Sequence, residues 1–254
     1  MKSARRFSMC FALLCCVTGC AATTPYNPFK VPQADIKSKV KIVALVPINV
    51  PTDLDNPDPV KSTFETLVAA KLKDGGYQVV PSDEYNKIWK QMMEQLGGFF
   101  DPMTGKRDNE KFKTVRQHTL RELAAKTKAD AILDFSLSPI KVSFANNRAV
   151  WHGTSEYLMS GGAFAAFLGG SFSGTVLALS LVVDLSDIND VEMYVNAGGI
   201  QSLSKLSGNR FVNVPRSELF ADEERNHKAV DIALNPLIGR SVEPDKQTSD
   251  EKSY

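Results

Sequence analysis

Thiols and imidazoles are the groups through which this sequence could do chemistry, and it has few of either. The four cysteines are Cys10, Cys15, Cys16 and Cys20, and the three histidines are His118, His152 and His227. A thiolate is the strongest nucleophile among ordinary side chains, so the setting of the cysteines matters. Lys2, Arg5 and Arg6 precede an apolar run over 7–17, and Val17-Thr18-Gly19 then places small residues before Cys20. A positive start, a short apolar core and a small-residue cleavage site make an export signal. The apolar core falls short of the ~20 residues that cross a bilayer. A cut at that site would remove Cys10, Cys15 and Cys16. The processed chain would then have no disulfide, no cysteine zinc site and no spare thiol nucleophile.

The remaining candidates for chemistry read as structural. His118 falls in the middle of a helix, His152 on a strand beside Trp151 and Gly153, and His227 at helical spacing from Val230 and Leu234. No two are spaced i, i+4, and none sits in a carboxylate-rich metal pattern. The stretch 98–106 fails as a phosphate loop. Six residues separate Gly98 from Gly105 where four are needed, and Arg107 replaces the magnesium-binding hydroxyl. Asp222-Glu223-Glu224 opens a helix, where negative charge meets the backbone dipole. There is no Gly-x-Ser-x-Gly elbow. The expectation is therefore no catalytic residue, no metal ligand, no cofactor and no enzyme activity.

Charge narrows the partners. The whole chain carries +1, and loss of Lys2, Arg5 and Arg6 takes it to −2. A near-neutral surface exerts no long-range pull on nucleic acid, so none is expected as a partner.

The segment Val17-Thr18-Gly19-Cys20, behind its charged and apolar run, closely resembles the lipobox of bacterial lipoproteins. The resemblance implies cleavage between Gly19 and Cys20, a diacylglyceryl thioether on Cys20 and acylation of the new amino terminus with chains such as palmitate. Two or three chains make a stable membrane anchor where one does not. In that family Asp directly after the lipidated cysteine favours inner-membrane retention. Ala21 stands there instead, which implies the outer membrane, with the domain facing the periplasm.

Stepping from Cys20 into the chain, residues 20–38 lack periodicity and read as a flexible tether. Residues 240–254 are charged and polar and read as a disordered tail. Between them, 39–239 read as a single periplasmic domain. Residues 41–47 are a short apolar run, as in a buried strand. A helix opens at Pro57-Asp58-Pro59, carries Phe64, Val68 and Leu72 on one face, and stops at Gly75-Gly76. A strand at 77–80 follows, then a helix capped by Ser82 with Tyr85, Ile88, Trp89 and Met92 as its stripe, closed by Gly97-Gly98. Asp101-Pro102-Met103-Thr104-Gly105 is a tight turn. Phe112, Val115, Leu120 and Leu123 mark a third helix leading to a strand at 131–137. Asn146-Asn147 reads as a hairpin turn. Strands at 176–185 and 191–196 flank the turn Asp187-Ile188-Asn189-Asp190, and a helix over roughly 218–237 ends the domain. The expected class is α+β: a mixed sheet with helices packed on one face, a two-layer sandwich.

The run 41–47, Leu72-Lys73-Asp74-Gly75-Gly76, Tyr77-Gln78-Val79-Val80-Pro81 and the stretch 123–133 together resemble one group of periplasmic lipoproteins. These are relatives of the curli secretion channel, the penicillin-binding-protein activators and the N-terminal domain of the Tol-system β-propeller protein. The resemblance spans roughly residues 40–200, and the loop 99–109 and the segment 160–174 depart from it. It implies an adaptor or assembly factor in envelope biogenesis or secretion, working through an envelope protein partner. The alternatives are a subunit of an oligomeric outer-membrane export pore, for which a homo-oligomer would be needed, and a binder of small periplasmic ligands.

Residues 157–183 contain one charge-free stretch in which Gly162, Ala166, Gly170 and Gly174 recur every fourth residue. Three readings stand open. It is a flexible Gly-rich connection between strands; or an apolar surface loop, including a hairpin that enters a membrane in an oligomer; or a transmembrane helix over 161–183. On the second reading Phe164, Phe167, Leu168 and Phe172, with Phe99 and Phe100 of the other loop, are the expected contact residues for a partner or membrane.

Overall fold

Two apolar runs set the architecture. In β1 (Ile42–Leu45) the residues Val43, Ala44 and Leu45 are all buried, as are Ala131, Ile132 and Leu133 at the start of β3 (Ala131–Ala145). Strands apolar on both faces need cover on both. Val43, Leu45, Ala131 and Leu133 meet Ile36 of α1 (Gln33–Lys39), Phe64, Val68 and Leu72 of α2 (Pro57–Asp74), and Val230, Leu234 and Leu237 of α5 (Glu223–Ile238). Ala44 and Ile132 face the other way, onto Tyr85, Ile88 and Met92 of α3 (Ser82–Gln95) and Val115, Leu120 and Leu123 of α4 (Asn109–Thr127). The computed structural model describes residues 26–52, 54, 56–159, 171–207 and 210–240. Cys20, the signal residues, Phe164, Phe167, Leu168 and the tail from 241 lie outside them.

The sheet is mixed. β2 (Gln78–Val80) and β3 both run parallel to β1. β3 pairs antiparallel with β6 (Gly174–Asp187), and β6 with β7 (Glu192–Ser202). The α+β class and a mixed sheet with helices packed against it are what the sequence led us to expect. The helices, however, cover both faces of the sheet near β1 rather than one. The β3–β6 ladder continues past them, from Ala131↔Asp187 to Phe144↔Gly174. At that far end β4 (Arg148–Trp151) and β5 (Thr154–Tyr157) form a hairpin, and Phe144, Trp151, Leu158, Val176 and Leu206 form a third cluster. β8 (Ser204–Ser207) and β9 (Arg210–Asn213) make a separate two-stranded sheet.

The Asn146-Asn147 turn is present, with φ of 51° and 62°. Such positive values suit Asn and match the twist of the strands they join. His152 and Gly153, with φ of 39° and 72°, form a second turn of this kind between β4 and β5, so His152 sits in a turn rather than on a strand. Asp101 accepts N–H bonds from Met103 and Thr104, and Gly105 is left-handed at 65°, closing the expected tight turn.

Other expectations are corrected. Ser82 does not cap α3: the cap position is Pro81, and Ser82 Oγ donates to Glu65 Oε2 at 2.6 Å. The last helix starts at Glu223, because Asp222 accepts the Arg225 N–H as its cap, and Arg216–Glu218 is a separate 3-10 turn. A transmembrane helix over 161–183 is ruled out by β6, which takes residues from 174 onward into the sheet as a strand. Among the described residues no helix is long and apolar enough to cross a membrane.

The second half of the expected tether is also part of the domain. Lys30 N–H donates to Met193 O and Val195 N–H to Pro28 O, each at 2.9 Å. The Phe29 ring lies 5.1 Å from that of Tyr194, and Ile36 is fully buried. The outer edge of β7 supplies the backbone groups for this pairing, and Phe29 and Ile36 pack against the core.

Candidate functional site

Among the described residues, three of the clefts built from these elements differ in charge. The first lies on the open face of β3 and β6 beside α3 and α4, about 450 Å³ in volume. Arg116 of α4 forms its floor. Its Nη2 donates to Asp134 Oδ2 at 2.7 Å and to Asp190 Oδ1 at 2.8 Å, while Nε adds two contacts of 3.0 Å to Asp190. Burial opposes the guanidinium charge, yet the hydrogen bonds to Asp190 and Asp134 hold its pKa above the ordinary arginine value. Burial pushes the Tyr85 hydroxyl up to about 12 against the lowering pull of Arg116. Asp184 stands directly across the ladder from Asp134. Burial raises its carboxyl, and a hydrogen bond from Ser186 only partly offsets this. Tyr85 and Trp89 stack at 5.9 Å, and Phe112 meets Trp89 edge-on at 5.6 Å, giving the cleft an aromatic wall.

The second cleft centres on Glu156 of β5, which is nearly fully buried. Its carboxylate accepts from the Ser202 backbone N–H at 2.7 Å, from Arg225 Nη1 of α5 at 2.7 Å, and from Lys205 Nζ of β8. Burial works to raise its pKa. The Lys205 ammonium, the Ser202 N–H and Arg225 together outweigh that and hold it below the usual carboxylate range. A carboxylate so saturated with donors is a weak base and a structural tie.

The third cleft, about 640 Å³, lies along the outer edge of β7. Tyr26, Pro28, Val182, Val195, Ala197, Ile232 and Pro236 line it, with Asn196, Gly153 and His152 completing the wall. Tyr26 Oη donates to Val195 O at 2.7 Å, so the N-terminal segment forms one rim. Gly198 lets α5 close the other side, since a Cβ there would stand 1.9 Å from the Ala229 carbonyl oxygen. Asn196 Nδ2 is directed at the Ile232 and Ala233 carbonyls. His152 Nδ1 lies 2.9 Å from Ser180 Oγ, and burial lowers the imidazole pKa, which keeps the ring neutral at neutral pH.

The histidines are not brought together. His118 and His227 are exposed on α4 and α5, and His227 does not border the core as its spacing implied. Among the described residues no three His, Cys, Asp or Glu side chains gather in a metal-binding group. The expected contact residues also separate. Phe99 packs with Trp89 and Phe112 on the α3–α4 side, at the start of β3. Phe100 is 54% exposed on the loop surface. Phe172 packs at the far end of β3, where its N–H donates to Asn147 Oδ1 at 2.9 Å.

No family model and no curated protein matches the chain. Solved structures do. The PelC L103M dodecamer from Paraburkholderia phytofirmans is 13% identical with a TM-score of 0.34, over 78% of this chain and 90% of that one. The PelC dodecamer of the same organism, without that substitution and in another crystal form, gives 13% identity and a TM-score of 0.33, over 78% and 88%. Lipoprotein GNA1162 from Neisseria meningitidis is 14% identical with a TM-score of 0.31, over 64% and 83%. At this level the likeness assigns neither a family nor a role.

The three clefts were not legible as sites. Arg116 and Asp190 are 74 positions apart, and Glu156 and Arg225 are 69 apart. The one local signal was the charged residue within each strand: Asp134 in an otherwise apolar run, and Glu156 between Thr154 and Tyr157.

Proposed function

We propose that this chain is a lipid-anchored envelope protein, held at the outer membrane with its domain in the periplasm, and that it acts as an adaptor or assembly factor through protein contacts. The observation that carries the reading is Val17-Thr18-Gly19-Cys20 behind a basic start and a short apolar core, with no cysteine after it. The placement of the domain's first residues fits this: the chain is stitched to β7 from Pro28 to Lys30, a few residues beyond the anchor. A non-catalytic role is supported by what the buried charges do. Arg116 and Glu156 each spend their hydrogen bonds on fixed neighbours, which makes them ties between elements rather than acids or bases poised for a substrate.

The test is to feed cells an alkyne-bearing fatty acid and follow the label and the protein through a high-salt membrane wash. The wild-type chain is expected to carry the label and stay with the membranes. Cys20→Ser is expected to lose both properties. A Cys20→Ser chain that still sediments with washed membranes overturns the reading.

A further inference from the structure

The cleft along β7 is the largest of the three and differs from the other two in chemistry. Among the described residues its lining contains no Asp, Glu, Lys or Arg, whereas Arg116, Asp134 and Asp184 line one of the others and Glu156 and Arg225 the second. A concave, mostly apolar surface with a few fixed polar groups is the kind that takes an apolar ligand. The chain itself indicates what is near enough to do so. Tyr26 and Pro28 form the rim, and only Ala21-Ala22-Thr23-Thr24-Pro25, all uncharged, separates Tyr26 from Cys20. Six residue steps reach at most about 20 Å, so a group on Cys20 is confined to the neighbourhood of this groove.

We propose that the β7 groove receives one acyl chain of the lipid on Cys20 when the protein is outside a bilayer. The inference rests on the lipoprotein reading above. Val182, Val195, Ala197, Ile232 and Pro236 offer the methylene chain an apolar wall. The polar groups present are already engaged: the Asn196 amide with the α5 carbonyls, and His152 with Ser180. The groove would shield part of the anchor from water before the membrane takes it up, and it would stand empty once the chain is in the bilayer.

The experiment compares two forms of the mature chain, residues 20–254. One is made without its signal and so without lipid; the other is purified from membranes and diluted out of detergent below the critical micelle concentration. Each is titrated with the fluorescent fatty acid parinaric acid. The unlipidated form is expected to bind it saturably, one to one, and the lipidated form at least tenfold more weakly because its own chain occupies the groove. In the unlipidated form, Ala197→Trp, which adds bulk, and Val182→Arg, which adds charge, are each expected to weaken binding at least tenfold. Circular dichroism checks that both remain folded, and the lipidated–unlipidated comparison needs no variant. Absence of saturable binding by the unlipidated chain, or equal binding by both forms, overturns the proposal. Intact mass separates the two readings. A membrane-purified chain without acyl mass sinks the lipoprotein reading and this one with it. Acyl mass with equal probe binding sinks only the groove.

Discussion

The two buried ion networks are mirror images in charge. On the α4 side one cation, Arg116, holds two carboxylates, Asp134 and Asp190; on the α5 side one carboxylate, Glu156, is held by two cations, Lys205 and Arg225. Each ties parts of the chain that no local pairing would join. Arg116 fastens α4 to β3 and to the β6–β7 turn, while Glu156 fastens β5 to β8 and α5. They differ in what surrounds the centre. The Arg116 partners are each about a third exposed, and Asp184 adds a further negative charge nearby. Glu156 is 7% exposed and has its opposite charges in excess. The deeper centre has more to lose from a missing partner, and the shallower one carries unrelieved repulsion.

That contrast can be broken in steps, read by urea denaturation of residues 20–254. The largest loss is expected for the double variant Lys205→Met with Arg225→Met, which leaves Glu156 buried and unpaired, at a cost of about 3–5 kcal/mol. Arg116→Met should cost less, about 2–3 kcal/mol, because Asp134 and Asp190 can regain water when their partner goes. Equal losses would show that burial of the centre does not decide the ranking.

Acid should separate the networks further. Glu156 has a lowered folded pKa, so its contribution is present above the unfolded value of about 4.3 and is lost as pH falls through the folded value. Glu156→Gln should therefore weaken the chain at pH 7 and have little effect once the pH is below that window. Asp184 has the opposite sign. Its raised folded pKa means that ionisation disfavours the folded state, so stability falls as pH rises from its unfolded to its folded value. Asp184→Asn is the smallest expected effect, a gain of about 0.5–1 kcal/mol at pH 7 that disappears in acid. A loss of stability at pH 7 would show that the Ser186 contact outweighs the repulsion.

How far the sequence foretold this molecule depended on whether a signal was local. The apolar runs at 42–45 and 131–137, the glycines after α2 and α3, and the Asn146-Asn147 turn each act within a few residues, and each appears where its pattern placed it. α1 falls inside the stretch that reads as a tether, because Ile36 is its one buried residue, too little for a stripe. β5 and the β8–β9 hairpin carry little local signal, because Thr154-Ser155-Glu156 and Ser204-Lys205 are polar and take their cover from neighbours in space rather than in sequence. Helices on one face alone are what the sequence led us to expect, yet Val43-Ala44-Leu45 and Ala131-Ile132-Leu133 are apolar at consecutive positions, the local mark of a strand covered on both faces. The clefts were out of reach for the same reason as the ion networks: Tyr26, His152, Val182 and Ile232 share a wall without sharing a segment.

The pairing of residues 28–30 with β7 has a further consequence, concerning searching rather than stability. If 20–38 were all slack, the domain of a chain anchored as proposed would hang on a leash of some 60 Å at full stretch and could explore a deep shell beside the membrane. With the segment sewn down, the leash is about 20 Å, and on the proposed anchor the domain rides close to the leaflet. Its effective concentration toward anything in the same membrane plane rises as the volume it samples shrinks. Loosening the seam with Phe29→Ala would lengthen the leash without touching the lipid, trading proximity for reach.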